Sequence, residues 1–383
     1  MSTHTGVATT SVGVLEVVTL PTPTPGPDEV LVEARYAALI PFDGYQLNTG
    51  FALQPSDYPR VLGFAGSGTV KAGGSNVTDL EEGDRVATNN FPDTKNKAAQ
   101  AFTLVPRYQV AKIPASLSLD QAATIPDNYT TAMYTVFGTP NLAFPVPSSL
   151  VSASAVPSRQ AVDLSAPVLV YGAGASSGQY LVQAFRIAGC TTIFAVASSH
   201  HHDFLRTLGA TACFDYRSPD VASQIRTAVA STAHGRIAVA VDVVASKASL
   251  TLLSAVLAAP PPGGGAPARL AILAPFKDGA TVTNAPGSAM HFTFPAWLDA
   301  LFADARAAVA LLPVYTFRMH EDAFSREYIV PVLLPRLLAL GAVRPNAVRL
   351  MQEGGILDRV RAGVELLSNN KVSGEKVVVD LRV

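Results

Sequence analysis

Cysteine is nearly absent: Cys190 and Cys213 are the only two in 383 residues. Two thiols cannot supply a four-cysteine zinc site, and their number gives no sign of a disulfide scaffold. Charge is sparse as well. Charged residues make up 15% of the chain and the formal net charge is −1. That balance leaves no electrostatic case for nucleic acid or an anionic membrane as partner. No run of about eighteen uncharged apolar residues occurs, so no membrane-spanning helix is expected. The opening "MSTHTGVATTSVGVLEV" lacks a basic stretch followed by an apolar one, so no secretory signal is expected. A cytoplasmic protein is the simplest expectation. What the chain does have is apolar residues, 49% of the total. That suits large cores and strands covered on both faces. The length allows one very large domain or two ordinary ones.

The pattern changes along the chain. "VGVLEVVTL" and "EVLVEARYAAL" are strand candidates separated by the turn-forming "PTPTPGPD". "VLGFAGSGTV" and "GDRVATN" continue as short apolar runs broken by glycine. A small, irregular, mostly antiparallel unit is expected here. "LDQAATIPDNYTTAMYTVFG" is helical in pattern, and the Pro- and Ser-rich stretch from Pro140 to Pro167 is expected as a long surface connection. "APPPGGGAP" is expected as a loop.

Strands and helices then alternate. "PVLVYG", "TIFAVAS", "CFDY", "RIAVAVDVVAS" and "ARLAILAPF" are strand candidates. "GQYLVQAFRIAG", "HDFLRTLGA", "DVASQIRTAVA" and "ASLTLLSAVLA" are the helices between them. Continuous apolar strands alternating with helices predict a parallel, doubly wound α/β sheet, with its ligand at the carboxyl ends of the strands. The tail, "VRAGVELLSNNKVSGEKVVVDLRV", has the pattern helix, turn, strand and is expected to return to the first unit.

The loop in "PVLVYGAGASSGQYLVQ" stands at the end of the first such strand. Gly172, Gly174 and Gly178 are spaced G-x-G-x-x-x-G, one residue longer than the usual dinucleotide fingerprint. The strand before and the helix after support a phosphate site, because helix-start amides and the helix dipole favour an anion. Ser176 and Ser177 add hydroxyl donors, and either is placed to cap the helix. An NAD-preferring fold puts an acidic residue after the second strand, bonded to the adenosine ribose. Here that place holds Ser198 and Ser199, followed by His200, His201 and His202, with Asp203 further into the next helix. Donors without a carboxylate suit a 2′-phosphate, which favours NADPH. Ser199 is also a candidate helix cap. Consecutive histidines on a helix point in different directions, which disfavours a metal site. Tyr216, near the end of the third strand, either contacts the cofactor or packs in the core.

These residues, taken in order, resemble the medium-chain dehydrogenases/reductases. The resemblance is carried by "PTPTPGPDEVLVEARYAALIPFD", "PRVLGFAGSGTV", "EEGDRVA", the loop at Gly172, "LGATACFDYR" and "NNKVSGEKVVV". The chain looks closest to the zinc-free quinone and enoyl reductases, especially fungal trans-acting enoyl reductases of polyketide synthesis. The resemblance implies a GroES-like, mostly β catalytic domain split between 1–137 and 318–383, and a Rossmann-type domain at 138–317. Nicotinamide and substrate would share the cleft between them.

Zinc-dependent members carry Gly-His-Glu where this chain has Phe64 and Ala65 in "LGFAGSG", so no metal site is expected. Of the family's Asn-Pro-x-Asp, Pro41 and Asp43 are kept and Ile40 replaces the asparagine, which removes an amide contact. Tyr45 falls where quinone reductases also carry a tyrosine. It would either donate a hydrogen bond to a substrate carbonyl or pack under the loop. Asn128 and Thr131 would line the nicotinamide pocket. Ala175, Ser176, Ser177 and Gly178 would hold the pyrophosphate. Ser198, Ser199, His200 and His201 would surround the 2′-phosphate. Relatives often have a lysine near His201, so the grip here is expected to be weaker or pH-dependent. Tyr216 matches a cofactor-contacting tyrosine. Leu273, Ala274, Val372 and Ser373 would line the nicotinamide end. The expected activity is zinc-independent, NADPH-dependent hydride transfer to an enone or enoyl group. The alternatives are a quinone reductase, a trans-acting enoyl reductase with a carrier-bound substrate, or a non-catalytic NADPH-binding protein. A homodimer is a family expectation.

Overall fold

The computed structural model describes residues 2–152, 162–258, 266–278 and 290–382. Parts of the Pro/Ser-rich connection and of "APPPGGGAP" lie outside the described residues. The chain divides into two compact units. One comprises the described residues of Met1–Thr130 and Arg326–Val383, the other those of Thr131–Thr283 and Gly287–Ser325.

The first unit begins with β1 (Thr3–Ser11) and β2 (Val14–Pro21), an antiparallel hairpin. Gly13 takes a left-handed φ of 80° at its turn. β3 (Glu29–Leu39) leads into the helix α1 (Pro41–Thr49). Next come β4 (Arg60–Val61), β5 (Ala65–Gly73), β6 (Arg85–Asn89), β7 (Phe102–Pro106) and β8 (Val110–Lys112). The short helix α2 (Leu119–Ala123) and then α3 (Pro126–Phe137) follow. Pro126 opens α3, where its missing N–H costs nothing. The chain passes to the second unit within α3.

The second unit alternates strictly. Its elements are β9 (Val168–Tyr171), α4 (Ser176–Ala188), β10 (Ile193–Val196), α5 (His202–Leu208), β11 (Ala212–Phe214), α6 (Val221–Ala230), β12 (Val239–Asp242), α7 (Lys247–Leu257) and β13 (Ala268–Leu273). After the small β14 (Phe276–Lys277) and β15 (Met290–His291) come α8 (Ala296–Leu301) and β16 (Val309–Val314). Six strands form one parallel sheet in the order β11-β10-β9-β12-β13-β16. β9, β10 and β12 are buried at every residue, as strands covered on both faces must be. The core joins Leu169, Phe194, Val196, Ala240, Leu270 and Ile272 to Ile225, Leu250 and Leu253 from the helices. The strand order reverses beside β9, so the crevice at its carboxyl end is the topological switch point.

The tail returns to the first unit through a π-helical stretch, Ser325–Leu333, which contains Pro331. Pro331 cannot donate an i→i−4 bond, and the widened turn accommodates it. Then come α9 (Leu334–Ala339), β17 (Ala347–Met351), α10 (Ile356–Ser368) and β18 (Glu375–Asp380). β18 pairs antiparallel with β3 and completes the sheet β17-β18-β3-β5-β6-β8, with β7 on the side of β3. α10 buries Val360 and Val364 against Ala37, Leu39, Val377 and Val379.

Asp380 fastens this junction, accepting from Arg35 and, at 2.8 Å, from Arg382 Nη2. Burial opposes its ionisation, but the hydrogen bonds from Arg35 and Arg382 win and hold the carboxyl well below the usual range. A depressed carboxyl stabilises the fold above its unfolded pKa and loses that contribution as pH falls. An Asp380→Asn chain is therefore expected to lose about 1 kcal/mol at about pH 7, allowing for solvent screening. In urea titrations the difference should close below about pH 4. A gap constant across pH would refute this.

Candidate functional site

In the first unit, α1 is started by a local device. Pro41 is its first residue, and Asp43 Oδ2 accepts from Ile40 N at 2.8 Å. Asp43 Oδ1 accepts from Gly63 N at 2.7 Å. One buried carboxylate thus fixes the helix start and the approach to Phe64. Lys97 faces it electrostatically. Its Nζ lies 2.9 Å from the centroid of the Phe64 ring and makes no hydrogen bond among the described residues. Burial pushes the Asp43 carboxyl up, opposed by Lys97 and the two amides. Burial, helped by Arg60, pulls the Lys97 ammonium far down, and Asp43 opposes that. The Lys97 amino group thus stands over the face of the Phe64 ring.

Tyr45, on α1, is 3% exposed, with edge-on contacts to Phe42 and Phe51 at 6.2 and 6.5 Å between ring centroids. Burial raises its phenol pKa, so the hydroxyl stays protonated. The neighbouring Gln46 carries a buried side-chain oxygen without a hydrogen-bond partner among the described residues.

Asn128 sits in the first turn of α3, and its Oδ1 accepts from Lys376 Nζ at 2.6 Å. Lys376 also reaches Asp127 Oδ2 at 3.4 Å. Burial lowers the Lys376 ammonium, and Asp127 opposes it. Val372 packs against the α10 core, and Ser373 lies in the turn before β18. Lys97 and Lys376 carry no local sequence mark. Thr130 is a further unmarked residue, with a fully buried hydroxyl that has no partner among the described residues. Thr131 falls in the second unit, half-buried, its carbonyl accepting from Thr135 Oγ1 at 2.7 Å.

In the second unit the glycine loop joins β9 to α4. Gly172 has φ +78°, and a Cβ there would stand 2.9 Å from Val244 Cγ2. A Cβ on Gly178 would fall 2.2 Å from the Gly172 carbonyl oxygen. A Cβ on Gly174 would fall 2.6 Å from the His201 ring. The loop therefore needs bare backbone at Gly172 and Gly178, while at Gly174 the obstruction is the movable His201 ring. This cradle fits a dinucleotide phosphate. The expected serine cap is corrected. Gln179 N bonds Ala175 O at 2.9 Å as the first helical bond, so Ala175 holds the cap position and Ser176 and Ser177 open the helix.

The loop after β10 lies beside the end of β11. Ser198 Oγ reaches Tyr216 Oη at 3.5 Å. Tyr216 is 44% exposed, which removes the core reading of that residue. The rings of His200 and His201 lie 3.9 Å apart, with His201 against Gly174. Burial, with the charges of His200 and His202, lowers the His201 pKa. Ser199 does not cap α5. It begins a short 3₁₀ turn, because its amide donates to Asp215 Oδ2 at 3.0 Å. A carboxylate therefore does stand beside the loop after β10, contributed by the residue that follows β11. Asp203 is exposed and paired with Arg206. Leu273 ends β13, and Ala274 N bonds Val314 O. The register Tyr171–Asp242–Ile272 puts them level with the glycine loop across the sheet. Among the described residues, no three His, Cys, Asp or Glu side chains converge as metal ligands, and no helix is long and apolar enough to cross a membrane.

Comparison with known proteins agrees with this architecture. Residues 26–115 match the alcohol dehydrogenase GroES-like domain family. The trans-enoyl reductase tndF of Aspergillus flavipes is 38% identical over 225 residues, 57% of this chain and 60% of that protein. That match therefore spans less than two thirds of the relative. The lovastatin nonaketide synthase enoyl reductase component lovC of Aspergillus terreus is 30% identical over 92% of this chain and 89% of that protein. The crystal structure of the CurK enoyl reductase superposes with a TM-score of 0.72 at 20% identity, covering 98% of this chain and 99% of that one. The chain belongs to the medium-chain dehydrogenase/reductase superfamily, among proteins related to the fungal trans-enoyl reductases.

Proposed function

We propose that the chain is an NADPH-dependent reductase of activated C=C bonds that works without zinc. The observation that carries this reading is the bare-backbone cradle at the switch point, with Ser198, His200 and His201 beside it. The sequence relation to trans-enoyl reductases supports the substrate class. The inner unit is the cofactor domain and the split unit the catalytic domain.

When bound, NADPH supplies a hydride to the β-carbon of an enone or enoyl group. The chain's own residues do the rest. Ala175, Ser176, Ser177 and Gly178 hold the pyrophosphate at the start of α4, and Ser198, Ser199, His200 and His201 surround the 2′-phosphate. Tyr216 covers the adenosine end, while Leu273 and Ala274, at the end of β13, line the nicotinamide end. Tyr45 donates its proton toward the substrate carbonyl, where charge develops. Asn128 is held in place by Lys376, and Asp43 positions α1. A carrier-bound enoyl chain is the favoured form of the substrate, because the relatives that carry the name act as trans-enoyl reductases.

The test is oxidation of NADPH and NADH with free enones, quinones and carrier-bound enoyl chains, with and without a chelator. Faster NADPH consumption with an enoyl substrate, unaffected by the chelator, is expected. Turnover of quinones alone would favour the quinone reductase reading. No oxidation with any substrate would leave a non-catalytic binding protein.

A further inference from the structure

The sequence lacks an acidic residue after β10, where a ribose-binding carboxylate usually stands. The sheet brings one in from the side. Val196 pairs with Phe214 in register, and Ala197 N bonds Phe214 O at 3.0 Å. Ser198–Ser199 and Asp215–Tyr216 therefore run next to each other past the carboxyl edge of the sheet. Asp215 Oδ2 accepts from Ser199 N at 3.0 Å, and Oδ1 accepts from Arg217 N at 2.9 Å. Each oxygen keeps lone pairs free for another donor. The backbone hydrogen bond from Arg217, with others from Ser199, holds the carboxyl below its usual range, so it is ionised at neutral pH.

We propose that Asp215 sets the balance between NADPH and NADH, as a carboxylate that accepts from a ribose 2′-hydroxyl and so admits NADH beside NADPH. The inference rests on the cofactor reading above. The pocket holds two opposed sets of groups. Ser198, His200, His201 and the Arg217 guanidinium, which lies 5.3 Å from the centroid of the Tyr216 ring, suit a phosphate. Asp215 repels that phosphate and occupies the Ser199 amide the phosphate would use. A 2′-hydroxyl meets neither obstacle and gains an acceptor. Asp203, further along, is spent on Arg206.

The test is the dissociation constant of each cofactor, read by fluorescence or calorimetry on the full chain. Wild type should bind NADPH more tightly and NADH measurably. Asp215→Asn should tighten NADPH and weaken NADH, moving the ratio of the two by about tenfold. Asp215→Glu, which keeps the charge, should stay near the wild-type ratio. A residue that merely anchors the loop would move both constants together. A parallel shift, an unmoved ratio, or a wild type that binds NADPH but no NADH overturns this inference alone. A wild type that binds neither cofactor overturns the cofactor reading as well.

Discussion

An Asp43→Ala chain is expected to lose about 3–5 kcal/mol of stability in urea titrations. Three debts fall due together. The amides of Ile40 and Gly63, bonded at 2.8 and 2.7 Å, lose their only carboxylate. An orphaned buried N–H costs about 1–3 kcal/mol. The third debt is Lys97, fully buried and without a hydrogen-bond partner among the described residues. Asp43 is one of the carboxylates that favour its charged form. Without Asp43, the charged form of Lys97 loses the carboxylate that favours it most, with only Asp127 and Asp93 left to oppose its burial. A second substitution separates the contributions. Lys97→Met removes the cation and keeps the volume, so Asp43→Ala with Lys97→Met should be more stable than Asp43→Ala alone. A deficit under about 1 kcal/mol, or no recovery in the double variant, would show that Lys97 does not depend on Asp43.

The same residues show what local sequence can and cannot reveal. Pro41 and Asp43 stood out through the family's Asn-Pro-x-Asp, but the helix start they build within one turn was not read from the sequence. β9, β10, β12 and β13 were legible because buried parallel strands have no polar face to interrupt them. β1 escaped notice because "THTGVATTS" alternates weakly and its His4 is buried by partners far along the chain, Thr22 and Gln100. β16 escaped because Pro313 interrupts "VALLPV", although an edge strand tolerates it. In "TKNKAAQ" Lys97 looks like part of a solvated charge run, and only tertiary structure closes over it. Asp215 lies 16 residues from Ser199, and only the register of adjacent strands brings them together. The strand–loop–helix at Gly172 was legible, because an apolar strand, glycines and a helical run follow one another in the sequence. Its cap was not, since the choice between Ala175 and the following serines depends on where the first helical bond closes.

Tyr45→Phe is expected to lower kcat about a hundredfold while leaving the dissociation constant for NADPH unchanged. The substitution removes one hydroxyl and keeps the ring, so the edge-on contacts with Phe42 and Phe51 survive and the fold should hold. Tyr45 lies outside the compact unit that carries the glycine loop. The raised phenol pKa gives a second readout. The hydroxyl stays protonated throughout the neutral range, so wild-type turnover should show no fall attributable to Tyr45 below about pH 10. A phenol poised as a strong acid would be depressed instead. On the proposed mechanism Tyr45 offers a hydrogen bond where the enolate charge develops, and any proton it gives to the α-carbon is returned to it from solvent. An isotope effect from deuterated solvent on kcat should then be present in wild type and altered in Tyr45→Phe. Unchanged turnover would remove Tyr45 from the mechanism. A parallel loss of NADPH affinity would make it a structural residue of the pocket, with no part in proton delivery.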